Sequence, residues 1–316
     1  MQLTEVFMVL GFALAAYSVV SNDSIQTLGT FLAANARRPW WHLWLFASSI
    51  LVAVLWYSWL VNNGDPSYGR LTKFPEPAGG VTWLHVMAPL VLLILTRYGI
   101  PVSTTFLVLS VFAPGNIESM LLKSVSGYAV AFVAAFLLYL LIRKTVQYLM
   151  DTSEEEAPGY WYAIQWASTA FLWSQWLIQD LANIFVFLPR ELSIGWITFG
   201  TILLVVMQGV IFYQAGGRIQ KIVTSKSNVS DVRSAAIINF VYGLILLVFK
   251  EWSNMPMSTT WVFLGLLAGR EIAIALQIEG RSLRHAAGLI GTDAAKAGTG
   301  LVVSVLLAGL GIWVGI

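Results

Sequence analysis

The chain has 316 residues, of which 58% are hydrophobic and only 11% charged, against roughly 25% charged in a typical soluble domain. That balance excludes an ordinary soluble domain and points to a polytopic membrane protein. With a net charge of +2 and basic side chains clustered at expected membrane ends, no nucleic-acid surface is expected. The absence of cysteine excludes disulfides, thiolate metal sites and cysteine catalysis.

In chain order, Leu3–Val20 is apolar and lacks the basic start and small-residue cleavage site of a secretory signal, so it reads as a retained helix. The polar run Ser21-Asn22-Asp23-Ser24-Ile25-Gln26 interrupts it, and a second apolar piece runs to Ala34; together these predict one broken span. Trp40–Val61 predicts an unbroken span, with tryptophans and Tyr57 as interfacial anchors. Asn62–Gly80 is polar and contains Gly and Pro, which predicts a loop. Thr82–Gly99, then Pro101-Val102-Ser103-Thr104-Thr105, then Thr105–Ala113 form an apolar, break, apolar unit. Its second arm is too short to span, so a re-entrant hairpin is expected. Lys123–Ile142 crosses next and ends at Arg143-Lys144 and the acidic linker Asp151–Glu156.

From Pro158 the same events recur. An apolar run is broken at Gln179-Asp180-Leu181-Ala182-Asn183, an unbroken run covers Ile194–Gln214, and a polar loop covers Gly216–Asp231. A second hairpin is expected around Pro256-Met257-Ser258-Thr259-Thr260, before a last span from Gly298 to Ile316. Lys296-Ala297-Gly298-Thr299-Gly300 echoes Lys123-Ser124-Val125-Ser126-Gly127. Asp23 to Pro101 is 78 residues and Asp180 to Pro256 is 76, so spacing is kept along with order. Residues 1–150 and 151–316 therefore read as two repeats.

Charge placement sets their relative orientation. With the N-terminus outside, each half crosses three times and carries one hairpin that returns to its own side. Arg37, Arg38, Arg143, Lys144, Arg218, Lys221, Lys226, Arg233, Arg270, Arg281, Arg284 and Lys296 then fall inside. Arg70, Lys73, Lys123 and Arg190 fall outside, and Arg97 and Lys250 lie on the hairpins. The positive-inside rule favours this arrangement and makes the repeats inverted, as in many secondary transporters with midplane sites. The expected fold class is thus an all-α polytopic membrane protein of two inverted-topology repeats, each with a broken helix and a re-entrant helical hairpin.

Asp23 and Asp180 carry the first candidate chemistry, because an ionised carboxylate in an apolar span costs at least ~2.5 kcal/mol and needs compensation. Asn22 and Gln26 flank Asp23, and Gln179 and Asn183 flank Asp180, the same groups with Asn and Gln exchanged. Amide oxygens with a carboxylate at a helix break suit a hard cation such as Na⁺, and a carboxylate alone can carry H⁺. The alternative is that they satisfy broken helix ends. The hydroxyls of Ser103, Thr104, Thr105, Ser258, Thr259 and Thr260, at proline-led helix starts, suit an oxyanion. The alternative is back-bonding to helix carbonyls. Glu271 beside Arg270 and Glu251 beside Lys250 read as hairpin-end ion pairs, and Asp293 and Lys296 as a solvated face. His42, His85 and His285 lack metal spacing, the Asn228-Val229-Ser230 sequon falls in a loop expected inside, and no base and nucleophile pair marks an enzyme.

The paired Asn-Asp-type breaks and the paired Pro-x-Ser-Thr-Thr motifs resemble the inorganic phosphate transporter (PiT) family, which includes sulfate permeases; the resemblance runs from Asn22 to the Lys296 region. It implies a bilayer protein, commonly dimeric, with a central site for anion and coupling cations. Carried over, it implies cation ligation by Asp23 and Asp180, with Asn22, Gln26, Gln179 and Asn183, and anion contacts from Ser103, Thr104, Thr105, Ser258, Thr259 and Thr260. The family's motif usually reads Gly-Ala-Asn-Asp followed by a second Asn. Here Ser21 stands for the Ala, Gln26 for the second Asn and Gln179 for the Asn of the second copy. The His that often follows the hydroxyl motif is replaced by Phe106 and Trp261, a bulkier, less polar rim.

The expected function is Na⁺- or H⁺-coupled symport of phosphate or a related small oxyanion such as sulfate by alternating access, without an organic cofactor, in a bacterial or archaeal plasma membrane. A cation channel or exchanger that has lost the anion is the alternative, and a membrane scaffold or sensor with a relict site a further one.

Overall fold

The computed structural model describes residues 2–98, 100, 102–141, 157–217, 220, 231–252, 255–277 and 283–314. Pro101, Arg143, Lys144, the acidic linker, Arg218, Lys221, Lys226, the Asn228 sequon and Arg281 lie outside the described residues, as do the side chains of His285 and Asp293. Every regular element among the described residues is helical. That follows from the composition, since a helix satisfies its own backbone in an apolar environment.

The helices are α1 (Leu3–Ala34), α2 (Trp40–Val61), α3 (Trp83–Arg97), α4 (a π-helical turn Thr105–Leu109 running into Ser110–Phe112), α5 (Ile117–Leu141), α6 (Gly159–Asp180), α7 (Ala182–Phe185), α8 (Ile194–Tyr213), α9 (Val232–Trp252), α10 (Thr259–Gln277) and α11 (Leu283–Val314). Seven of them are long and apolar enough to cross a membrane: α1, α2, α5, α8, α9, α10 and α11. Helix α6 has 22 residues as well, but Gln165, Ser168, Thr169, Gln175 and Gln179 lower its hydropathy.

Three expectations are corrected. Helix α1 is continuous over 32 residues through Asn22 and Asp23, so the break expected there is absent from it. Its polar side chains are satisfied within helical geometry: Gln26 Nε2 donates to Asn22 Oδ1 at 3.2 Å and Thr27 Oγ1 to the Asp23 carbonyl at 3.1 Å, both across one turn. With no Gly or Pro between Gly11 and Gly29, nothing forces an opening. The second-half break is a single residue, Leu181, between α6 and α7. Secondly, the hairpins differ: α3 has 15 residues before a short α4, whereas α9 has 21 and α10 has 19, each long enough to span. Thirdly, α11 starts at Leu283, so the stretch holding Asp293 and Lys296 is part of the last helix rather than a segment before it.

Contacts between connections define two ends of the bundle. At one, Arg190 Nε donates to the Phe74 carbonyl at 2.8 Å, Asn116 Nδ2 to the Lys73 carbonyl at 2.7 Å, and the Leu192 amide to the Gly64 carbonyl at 3.0 Å. At the other, Asn35 Nδ2 donates to Gln165 Oε1 at 3.0 Å and Arg38 lies 5.5 Å from the ring centres of Tyr162 and Trp166. The α3–α4 hairpin closes on the first end, where the rings of His85 and Phe112 meet tilted, with centres 4.5 Å apart.

Helix α3 packs on α1 as α9 packs on α6, and α4 packs on α11 as α10 packs on α5. The α5–α10 pair is the closest. A methyl group at Gly265 would come within 2.4 Å of the Tyr128 carbonyl, and one at Gly269 within 2.1 Å of the Phe132 carbonyl. These glycines form a small-xxx-small stripe that lets two backbones touch.

Candidate functional site

The two hydroxyl motifs meet at the centre. Ser103 Oγ accepts from the Phe106 amide at 3.3 Å and Ser258 Oγ accepts from the Trp261 amide at 3.2 Å, so each serine caps the helical turn that follows it. The capped turns point the following threonines at the aspartates. Thr104 Oγ1 makes a short hydrogen bond to Asp23 Oδ2, and Thr260 Oγ1 lies 3.2 Å from Asp23 Oδ1 and 3.4 Å from the Val102 carbonyl. Thr105 Oγ1 lies 3.5 Å from Asp180 Oδ1 and 3.2 Å from the Met257 carbonyl. Each half thus sends its last motif threonine to the other half's aspartate and the other hairpin's tip.

The amide residues complete the cluster. Asn22 Nδ2 donates to Asp23 Oδ1 and to the Val102 carbonyl, both at 3.1 Å. Asn183 Nδ2 donates to Asp180 Oδ1 at 2.7 Å and to Thr105 Oγ1 at 3.3 Å. Gln26 joins through Asn22, while Gln179 turns outward, giving Nε2 to the Leu246 carbonyl at 3.1 Å and accepting from Arg70 at 3.3 Å. Thr259 flanks Asp180, and its carbonyl accepts from Tyr242 Oη at 2.9 Å.

Apart from Gln179, the expected cation and anion residues meet in one buried cluster. No member exceeds 6% exposure, so this conformation is closed to solvent. In this conformation the hydroxyls of Thr104, Thr105 and Thr260 face carboxylates and carbonyls, and the two serine oxygens accept from backbone.

The aspartates differ in satisfaction. Both oxygens of Asp23 accept hydrogen bonds, whereas Asp180 Oδ2 and Asn183 Oδ1, one helical turn apart, have no partner although both are buried. Gln26 Oε1 is a third buried acceptor without a donor. Carbonyl and carboxylate oxygens of this kind are ligands for a hard cation. Among the described residues no group of three or more His, Cys, Asp and Glu side chains is placed to hold a metal ion. Phe106 and Trp261 meet with ring centres 5.7 Å apart, so the aromatic rim expected from the motifs forms one contact.

Four contributing residues were not singled out as part of the site by sequence reasoning. Ser124 Oγ accepts from the Ser258 amide at 2.8 Å, and Lys123 Nζ donates to the Met255 carbonyl at 2.7 Å, so the start of α5 supports the second tip. Tyr242 and Arg70 are the others. The repeated Lys123-Ser124 motif signalled the first two; Arg70 lay in a stretch that reads only as a polar loop. Glu251 and Glu271 pair with Lys250 and Arg270 at 3.3 and 3.0 Å, as expected.

No family model matches the sequence, and no curated protein matches it. Among solved structures, the chain is similar to one described as "The sodium-dependent phosphate transporter", with 15% identity, 99% of each chain covered and a TM-score of 0.63. At that identity the likeness establishes a shared fold over the whole chain, that of a polytopic helical membrane protein.

Proposed function

We propose that the protein is a cation-coupled symporter of a small inorganic oxyanion, phosphate or sulfate, and that its two halves are inverted repeats rearranging around the central cluster. The observation that carries this reading is the meeting of both hydroxyl tips on two buried carboxylates, one of which keeps an unpartnered oxygen beside an unpartnered amide oxygen. The matching helix pairs in the two halves, and the full-length likeness to a sodium-dependent phosphate transporter, support it.

The physics of the cluster supplies the coupling. An oxyanion cannot be held beside two ionised carboxylates in a low-dielectric interior, where like charges repel strongly. A cation at Asp180 Oδ2, Asn183 Oδ1 and neighbouring oxygens, or protons on the carboxylates, removes that barrier. Hydroxyls now directed at the carboxylates are then available to the anion. Cation and anion thus each favour the binding of the other.

Uptake of labelled phosphate and sulfate into proteoliposomes, under Na⁺ and H⁺ gradients applied separately, tests this reading. Concentrative uptake of one of them under one gradient is expected. Folded protein that moves neither anion under either gradient contradicts the reading, and cation flux independent of added oxyanion favours the channel or exchanger alternative.

A further inference from the structure

The loop between α2 and α3 is a built structure. Asp65 Oδ1 accepts from the Ser67 amide at 2.6 Å and Asp65 Oδ2 from the Gly69 amide at 3.0 Å, while Ser58 Oγ donates to the Asp65 carbonyl at 2.8 Å and accepts from the Tyr68 amide at 2.9 Å. Gly69, at φ 75°, then turns the chain inward. The result is Arg70, 1% exposed, at the start of a 3₁₀ turn.

Its guanidinium is unusual in what it lacks. Buried arginines are ordinarily paired with a carboxylate or fully hydrogen-bonded. Arg70 has a 3.3 Å bond from one terminal nitrogen to Gln179 Oε1, forms no ion pair with the described residues, and leaves its buried Nε–H without an acceptor. Asp65 does not fill the role, being engaged by its own turn. Gln179 immediately precedes Asp180, so a permanent cation stands one residue from the cluster. Burial lowers the guanidinium to about 10, with the Asp180, Asp65 and Glu251 charges opposing that shift, so it stays protonated at neutral pH.

We propose that Arg70 is an anion-binding residue of the site, whose free N–H groups take the oxyanion when it enters from the α2–α3 loop end. An anion with several acceptor oxygens fits a planar fork that has lost its carboxylate partner, and the bond to a neutral Gln179 is weak enough to exchange. The same charge weakens cation binding at Asp180 while the anion is absent, which makes Arg70 a determinant of the order in which the ligands bind. This inference rests on the symport reading, and the experiment separates the two.

Binding of inorganic phosphate, sulfate and Na⁺ to purified wild type, Arg70→Gln and Arg70→Lys is measured by calorimetry, with melting temperatures recorded alongside. Arg70→Gln is expected to weaken the bound anion about tenfold to a hundredfold, the loss of one charge-assisted hydrogen bond. It is expected to tighten Na⁺ measured without anion. Arg70→Lys retains the charge and is expected to fall between. A purely structural arginine would weaken both ligands together or neither, and either pattern overturns the inference. If Arg70→Gln fails to fold, Arg70→Lys decides: unchanged affinity for both anion and Na⁺ counts against a directional anion contact. Wild-type protein that binds neither phosphate nor sulfate overturns the symport reading itself.

Discussion

A buried aspartate keeps its charge only where donors or cations surround it, and the two in this site are supplied differently. Asp23 receives Asn22, Thr104 and Thr260, whereas Asp180 has one oxygen open next to the open oxygen of Asn183. Asp180→Asn is therefore expected to lower cation affinity at least about tenfold, the effect of losing a charged ligand. Asp23→Asn is expected to have the smaller effect on cation binding and the larger on the placement of Thr104 and Thr260. Isothermal titration with Na⁺ and with phosphate checks both; equal losses would contradict the asymmetry. The residue types of the site were legible in the sequence because carboxylates and hydroxyls are conspicuous in apolar runs and occur twice. Their directions were not, because which oxygen a hydroxyl faces depends on how two hairpins meet. Arg70 was hidden for the same reason: only Asp65, Ser67 and Gly69 folding together turn it inward.

Element boundaries followed the hydropathy where spans are uniform, and α2 and α8 start at the expected residues. They departed from it where polar residues are satisfied in place, as in α1, because a side chain bonded across one turn needs no freed backbone. The α5–α10 contact was not anticipated, although Gly265 and Gly269 stand four apart. Gly269→Ala is expected to cost about 1–3 kcal/mol, since the added methyl meets backbone rather than a mobile side chain. Ala substitution at Gly288, which faces open space, is expected to cost less, and thermal unfolding in detergent compares the two. At the start of α9, Asp231 accepts from the Arg233 amide at 2.7 Å and pairs with its side chain at 2.7 Å. Burial alone would raise its carboxyl, but the Arg233 hydrogen bonds outweigh it and hold the group below its usual range. The stability it contributes is present above the ordinary carboxylate range, about pH 4, and lost as pH falls through the lowered value. Asp231→Asn should flatten the acid limb of a pH–stability profile; an unchanged limb would place the acid sensitivity elsewhere.

Across the whole molecule, the central cluster is shut off at both ends by different means. Toward one end stands the structured α2–α3 loop with Arg70. Toward the other lies a paired lattice in which Thr30 donates to Asn239 Oδ1 at 2.7 Å, Asn239 Nδ2 to Thr169 at 2.8 Å, and Gln165 Nε2 to Thr169 at 3.3 Å. Asn239→Leu would strand Thr30 and is expected to destabilise this closed form by about 1–3 kcal/mol. A lower melting temperature checks it. Overall class and the duplication of motifs were readable from composition and spacing, whereas the closure of both ends is a property of packing. The central claim is that cation and oxyanion share one cluster. It is tested most directly by the phosphate or sulfate affinity of the purified protein measured across a range of Na⁺ concentration and of pH, in wild type and Asp180→Asn. The account predicts that wild-type affinity rises about tenfold for each tenfold rise of the coupling cation below saturation, and that the slope collapses in the variant. Anion affinity independent of both cations, or a slope untouched by Asp180→Asn, would contradict it.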